Sequence, residues 1–190
     1  MTEWIIAAWP ILIQGVLGAF LVLAFSFYLS YFWGAPFVPS TMRVSRRMLE
    51  LADVQPGQKV VDLGAGDGRV VILAARRFGA QATGVEIDPT RWFMANLRIW
   101  QTGLRGKASV RLGDMRTFDV SGADVVTLYL LQGTNQKLKE RLQKSLMPGA
   151  KIVSHCFSMS GWTPVILDDR NGIFVYEIGN TGEDAITKFR

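Results

Sequence analysis

The chain is poor in the residues that build most covalent and metal chemistry. It has one cysteine, Cys156, and one histidine, His155, side by side. A single cysteine excludes an intramolecular disulfide and fits a reducing compartment. One histidine and one cysteine cannot make a zinc site, which takes four ligands, so no metal centre is expected. Charge is also missing, but only from one end. Residues 1–42 carry Glu3 and no other charged side chain, and the 39 residues from Trp4 to Met42 are uncharged without interruption. No repeat, low-complexity tract or linker interrupts residues 43–190. These absences argue against a uniformly soluble globule, an intrinsically disordered chain and a polytopic transporter.

What is present is equally lopsided. All 21 Lys and Arg and 15 of the 16 acids fall within residues 43–190, a net charge of +6 on 148 residues, the size of one ordinary domain. The apolar stretch ahead of it predicts a transmembrane helix. Ile11 to Trp33 supplies 23 residues. At about 1.5 Å per residue they would rise about 34 Å, enough to cross a hydrocarbon core of roughly 30 Å. Pro10 suits a helix start. Trp4 and Trp9 at one end and Tyr28, Tyr31 and Trp33 at the other match the aromatic belts of membrane interfaces. A cleaved signal peptide would want a basic start and a shorter apolar core. Arg43, Arg46 and Arg47 follow the span directly, which places the next domain on the cytoplasmic or mitochondrial matrix side. Gly15 and Ala19 form a small-xxx-small pair through which two copies could associate. The expected organisation is a single-pass anchor in the lipid bilayer, residues 1–34, followed by a domain over 35–190.

That domain alternates strand and helix patterns. Helices are predicted at Val44–Val54, Arg69–Phe78, Thr90–Thr102 and Asn135–Leu146. Strands are predicted at Lys59–Leu63, Ala82–Ile87, Ala108–Leu112, Asp124–Leu130 and Lys151–Phe157, with an antiparallel finish at Val165–Leu167 and Ile173–Ile178. Alternating strands and helices imply βαβ units, hence a doubly wound α/β fold with a mainly parallel sheet.

The first strand runs into Asp62-Leu63-Gly64-Ala65-Gly66-Asp67-Gly68. Glycines here let the backbone turn tightly and approach a nucleotide-like ligand. The dinucleotide pattern G-x-G-x-x-G would need glycine at 69, where Arg69 stands; the spacing is D-x-G-x-G-x-G instead. Glu86 ends the second strand, placed to accept hydrogen bonds from ribose hydroxyls. Asp114 and Met115 follow the third strand, where an acid could take an adenine amino group and the thioether could pack on the ring. Each acid alone could be a helix cap or a surface charge. Together they predict adenosine binding.

With those residues in place the sequence resembles the class I S-adenosylmethionine-dependent methyltransferases, whose Rossmann-like fold it is expected to share behind the membrane helix. Pro36-Phe37-Val38-Pro39-Ser40, Asp124–Leu131, and Ile152-Val153-Ser154-His155 with Gly161-Trp162 resemble a narrower group. That group comprises the archaeal broad-specificity protein lysine methyltransferases and the membrane-anchored mitochondrial enzymes acting on lysine in the ATP synthase c-subunit and the adenine nucleotide translocase. The resemblance implies S-adenosylmethionine as cofactor. Asp62, Gly64, Gly66, Asp67 and Gly68 would surround its methionine part, Glu86 its ribose, and Asp114 with Met115 its adenine. Val38, Pro39 and Ser40, with Phe37, would close over the reactive end. The group often has tyrosine and threonine where this chain has Phe37 and Ser40.

Base-amine methyltransferases carry an Asn/Asp-Pro-Pro-aromatic loop after the fourth strand. This chain has Leu128-Tyr129-Leu130-Leu131-Gln132-Gly133 there, so a nucleic-acid partner is not expected. The basic charge suits an anionic membrane surface, at about 1 kcal/mol per juxtamembrane residue. Tyr129 is the candidate for orienting the acceptor nitrogen, and a core aromatic with a surface hydroxyl is its plain alternative. Ser154 and His155 are weaker candidates. The expected function is methylation of a lysine in a membrane or membrane-proximal protein. A lipid or quinone headgroup methyltransferase and a non-catalytic nucleoside-binding scaffold remain alternatives.

Overall fold

The computed structural model describes residues 9–18, 20–22, 24, 39–180 and 187–189. The chain divides into two compact units, Met1–Pro36 and Phe37–Arg190. In the first unit the described residues are helical, and Ile11 and Val16 are more than two-thirds exposed. Among the described residues no helix is long and apolar enough to cross a membrane. This overturns the predicted span over Ile11–Trp33, and the single-pass topology with its assigned side falls with it. The physical reason is length. The unbroken helical run among the described residues of this unit, 9–18, rises about 15 Å against a hydrocarbon core of roughly 30 Å. Ala19, half of the small-residue pair, lies outside the described residues, as does everything from 25 to 38.

The second unit is built on one sheet of eight strands in the order β3-β2-β1-β4-β5-β7-β6-β8. The strands are β1 Lys59–Leu63, β2 Gln81–Glu86, β3 Ala108–Leu112, β4 Val125–Leu128, β5 Lys151–His155, β6 Ile166–Asp168, β7 Ile173–Glu177 and β8 Thr187–Phe189. Pairings from β3 through β5 are parallel; β7 runs antiparallel to both β5 and β6, and β8 is parallel to β6. The sheet is therefore mixed: five of its seven pairings are parallel, and the two antiparallel ones are both made by β7. A tight connection, Asp169–Gly172, joins β6 to β7, and so short a link can only reverse the chain.

Four helices complete the unit: α1 Met42–Leu51, α2 Arg69–Phe78, α3 Pro89–Gln101 and α4 Gln132–Ser145. Alternation along each strand sorts the core into two faces. Val60, Val125, Val153 and Val175 point one way, where Leu49 and Leu51 of α1, Val71 of α2 and Ile99 of α3 pack on them. Val61, Val126, Ile152 and Tyr176 point the other way, against Leu138 and Leu142 of α4. Helix starts follow local chemistry. Thr41 caps α1 through its side chain, and fully buried Asp88 caps α3, accepting from the Thr90 and Arg91 amides ahead of Pro89. α2 has Gly68 in the left-handed region at its start, where glycine offers no side-chain cap, and Asp67 Oδ1 takes the Arg69 amide instead at 3.3 Å.

β1 has β2 on one side and β4 on the other. The chain order reverses there, which opens a crevice at the carboxyl ends of these strands, where open α/β sheets bind ligands.

A candidate cofactor crevice at the carboxyl ends of β1, β2 and β4

The loop after β1 is tied to its neighbours by backbone bonds. The Gly64 and Ala65 amides both donate to the Val85 carbonyl, at 3.0 and 2.9 Å. Gly64, Gly66 and Gly68 all lie at positive φ, 84, 55 and 77°. A Cβ at Gly64 would sit 3.0 Å from Leu130 Cδ2, and one at Gly68 would sit 3.0 Å from Ala95 Cβ. Both the backbone conformation and the close approach therefore require glycine.

Asp62 lies beneath this loop, 6% exposed. Its Oδ1 accepts a hydrogen bond from Thr127 Oγ1 of β4 at 2.6 Å. No cation stands within 4 Å of it among the described residues. Burial pushes its carboxyl up to about 7; the Thr127 bond opposes this, and the Glu86 and Asp67 carboxylates add to it. Glu86, also buried, is held by backbone amides. Its Oε2 accepts from Gly66 at 2.8 Å, and its Oε1 from Ile87 and Asp88 at 3.0 Å each. Three acceptor positions of a carboxylate are filled, and a fourth remains.

Two predicted acids are engaged with arginines. Asp67 Oδ1 accepts from Arg69 Nε at 2.9 Å, and Oδ2 from Arg69 Nη2 and Arg98 Nη1 at 2.6 Å each. Those bonds hold Asp67 well below the usual carboxylate range against its partial burial. Asp114 is likewise forked by Arg116, with Nη2 to Oδ2 at 2.6 Å and the Arg116 amide to Oδ1 at 2.8 Å, and its pKa is lowered. Met115 packs against the α4-side core.

Arg69 has a role the sequence reading missed. Its Nη1 donates to the Ser40 carbonyl, so one guanidinium joins the glycine loop, through Asp67, to the segment preceding α1. Ser40 is buried, and its Oγ lies 2.9 Å from Ser45 Oγ; Pro39 is exposed, and Val38 lies outside the described residues. The available signal was the arginine standing where a dinucleotide loop has glycine.

On the far side of the crevice, Tyr129 follows β4, and its ring lies 4.2 Å from that of His155 at the end of β5. Burial, with the Cys156 thiol beside it as charge and hydrogen-bond partner, raises the Tyr129 pKa, so the phenol is protonated at neutral pH. Burial lowers that of His155, whose Nδ1 is buried without a hydrogen-bond partner. Ser154 Oγ donates to the Phe157 carbonyl and accepts from Asn135 Nδ2, which also donates to Phe157; Ser154 therefore fastens α4 to the end of β5. Residues 129–136 and 154–167, which run from the ends of β4 and β5, contain no acid, lysine or arginine, and Lys139 of α4 reaches the second segment, its Nζ donating to the Ser160 carbonyl at 2.6 Å.

A nucleoside bearing an amino-acid tail fits this arrangement. The glycine cradle excludes side chains, Asp62 is a buried carboxyl without a cation, and Glu86 keeps an acceptor position. Among the described residues no group of histidine, cysteine and acids is placed to hold a metal.

Comparison with known proteins agrees. Residues 62–166 match the sequence model of the ANTKMT methyltransferase domain. A protein-lysine N-methyltransferase of Saccharolobus islandicus (strain REY15A) is 42% identical over 80% of this chain and 98% of its own. The ATP synthase c-subunit lysine N-methyltransferase of Rattus norvegicus is 30% identical over 82% of this chain and 74% of its own. Among solved structures, an RNA methyltransferase from Salinibacter ruber in complex with S-adenosyl-L-homocysteine superposes with a TM-score of 0.70. It is 42% identical and covers 77% of this chain and 98% of its own.

Proposed function

The chain belongs to the ANTKMT methyltransferase domain family, S-adenosylmethionine-dependent protein-lysine N-methyltransferases with a Rossmann-like class I fold, and on that premise we propose that the crevice directs methyl transfer to a lysine side chain of a protein. When bound, the cofactor supplies a methyl group on a positively charged sulfur, which an amine displaces in line.

The observation that carries the lysine reading is that residues 129–136 and 154–167, running from the ends of β4 and β5, bring no carboxylate to this side, while the Lys139 ammonium reaches them. Lysine must lose a proton to attack, and its ordinary pKa is about 10.4. A carboxylate beside it would hold the ammonium form; an apolar border without carboxylates instead disfavours that form and lowers the value. Buried Leu130 and Met159 contribute to this border. The Tyr129 hydroxyl, kept protonated, orients the nitrogen by accepting from it and does not act as a phenolate base. His155, neutral with a free Nδ1, backs the tyrosine ring. On the cofactor side, Asp62 would hold the amino-acid tail within the cradle of Gly64, Gly66 and Gly68, and Glu86 would take a ribose hydroxyl. Met115 and Asp114 would receive the adenine, Asp114 once released by Arg116. Asp67 acts through Arg69 and holds Ser40 in place. Placing nitrogen about 3 Å from the methyl carbon supplies several kcal/mol of the rate enhancement.

The test is transfer of methyl label from the cofactor to a cell extract, followed by acid hydrolysis of the protein. Label recovered as mono-, di- or trimethyllysine is expected. Label confined to RNA or to the lipid extract would overturn the reading, the latter in favour of a headgroup substrate. Separating soluble from membrane proteins before hydrolysis tells whether the substrate sits at a membrane.

A further inference from the structure

A crevice border without carboxylates can accept a lysine but offers little charge with which to choose among proteins. The charge lies elsewhere. A groove of about 1140 Å³ runs between α1 and α2 and reaches the β6–β7 connection. Its lining begins at Met42, two residues past Ser40 in the chain.

Six arginines and two acids line this groove. Both acids are already matched. Glu50 takes Arg46 at 2.7 Å, and Asp168 takes Arg47 at 2.9 Å. Arg43, Arg76, Arg77 and Arg170 have no acidic partner within 4 Å among the described residues. Four guanidinium groups over one concave surface repel one another unless an anion lies between them. Ile72 and Leu73 of α2 add apolar surface.

The geometry points to a docking groove for an acidic, partly apolar segment of the protein substrate, held on the α1–α2 face away from the lysine-accepting mouth. This rests on the protein-lysine reading above. A polypeptide fits better than a nucleic acid strand because the groove is lined by no aromatic ring on which a base could stack. Its apolar surface suits the leucine or valine of an amphipathic segment, while guanidinium groups take carboxylates in a forked geometry.

Two lysine peptides test this, one neutral and one extended by a run of mixed Glu, Asp and Leu. With wild-type protein the acidic extension is expected to lower KM and leave kcat unchanged. In the triple variant Arg76→Gln, Arg77→Gln, Arg170→Gln, the advantage of the extension is expected to fall about tenfold, three weak surface pairs being lost. The neutral peptide should be methylated as before, and raising the salt should weaken the wild-type advantage in the same way. Single variants at Arg76 and Arg170 give partial losses and cover the case of a misfolded triple variant. An unchanged KM advantage in the variants would overturn the proposal. So would a fluorescent oligouridylate that binds the wild type more tightly than the acidic extension does. If the wild type methylates neither peptide, the lysine reading fails; direct binding of the labelled acidic extension, lost in the triple variant, would still report on the groove.

Discussion

Asp62 makes cofactor binding depend on pH in a way that can be calculated. With its carboxyl at about 7 in the ligand-free protein, about 9% is ionised at pH 6 and about 90% at pH 8. If only the ionised form receives the ammonium of the amino-acid tail, apparent affinity is reduced by the fraction that is competent. The ratio between pH 8 and pH 6 is then about tenfold, or about 1.4 kcal/mol. S-adenosylhomocysteine is the suitable probe because it keeps that tail and lacks the sulfonium charge. Titration calorimetry in two buffers of different ionisation enthalpy should show about 0.9 proton released per molecule bound at pH 6 and about 0.1 at pH 8. Asp62→Asn should bind more weakly and with a flat profile. The sign for folding is opposite. The folded protein binds more protons than the unfolded chain between about 3.8 and 7, so the ligand-free protein should lose stability as pH rises through that window. Affinity that stays flat from pH 6 to 8 with no proton release would refute the assignment of Asp62.

Three further outcomes follow from the same geometry. Tyr129→Phe, which removes the hydroxyl and keeps the ring on His155, should lower kcat about tenfold or more in steady-state assays and leave cofactor affinity unchanged. Arg116→Gln removes the fork from Asp114; calorimetry should show cofactor affinity rising a few-fold, and a fall would mean that Asp114 does not meet the adenine. Gly84→Ala places a Cβ 2.4 Å from Ala65 Cβ and 3.0 Å from Val71 Cγ2. Overpacking beneath the glycine loop should cost about 1–3 kcal/mol in denaturant unfolding, with unchanged stability as the contrary result.

The sequence displayed the strand-helix rhythm well wherever an element has a local terminator. β1 and α2 end where predicted because Gly64 and Gly79 take left-handed conformations that a regular element cannot continue. β5 stops two residues early because Cys156, a non-glycine residue at φ 64°, leaves the ladder. α4 starts three residues early, at Gln132, since Leu131 caps it without a side-chain bond and so carries no capping signature. β8 went unpredicted: three residues, Thr187–Phe189, are fixed by pairing with β6, a contact remote in sequence. In the crevice, residue types gave Asp62, Glu86 and the glycines. They did not tell that Arg98 reaches Asp67 across 31 positions or that Thr127 reaches Asp62 across 65, since neither partnership has a local pattern. The apolar run at the amino terminus misled because apolar composition does not measure helix length, and among the described residues no helix is long and apolar enough to cross a membrane.

Arg69 divides its bonds unequally, and the inequality makes this corner of the fold fail in one direction. Its guanidinium makes two bonds to Asp67 and one to the Ser40 carbonyl. Fraying of the chain ahead of α1 breaks only the single bond and leaves the loop's own fastening whole. A lesion at Asp67 frees the guanidinium and unmoors Ser40 with it. A change at Asp67 is therefore felt both within the glycine loop and at the segment ahead of α1, whereas loss of the Ser40 contact leaves both side-chain bonds to Asp67 in place.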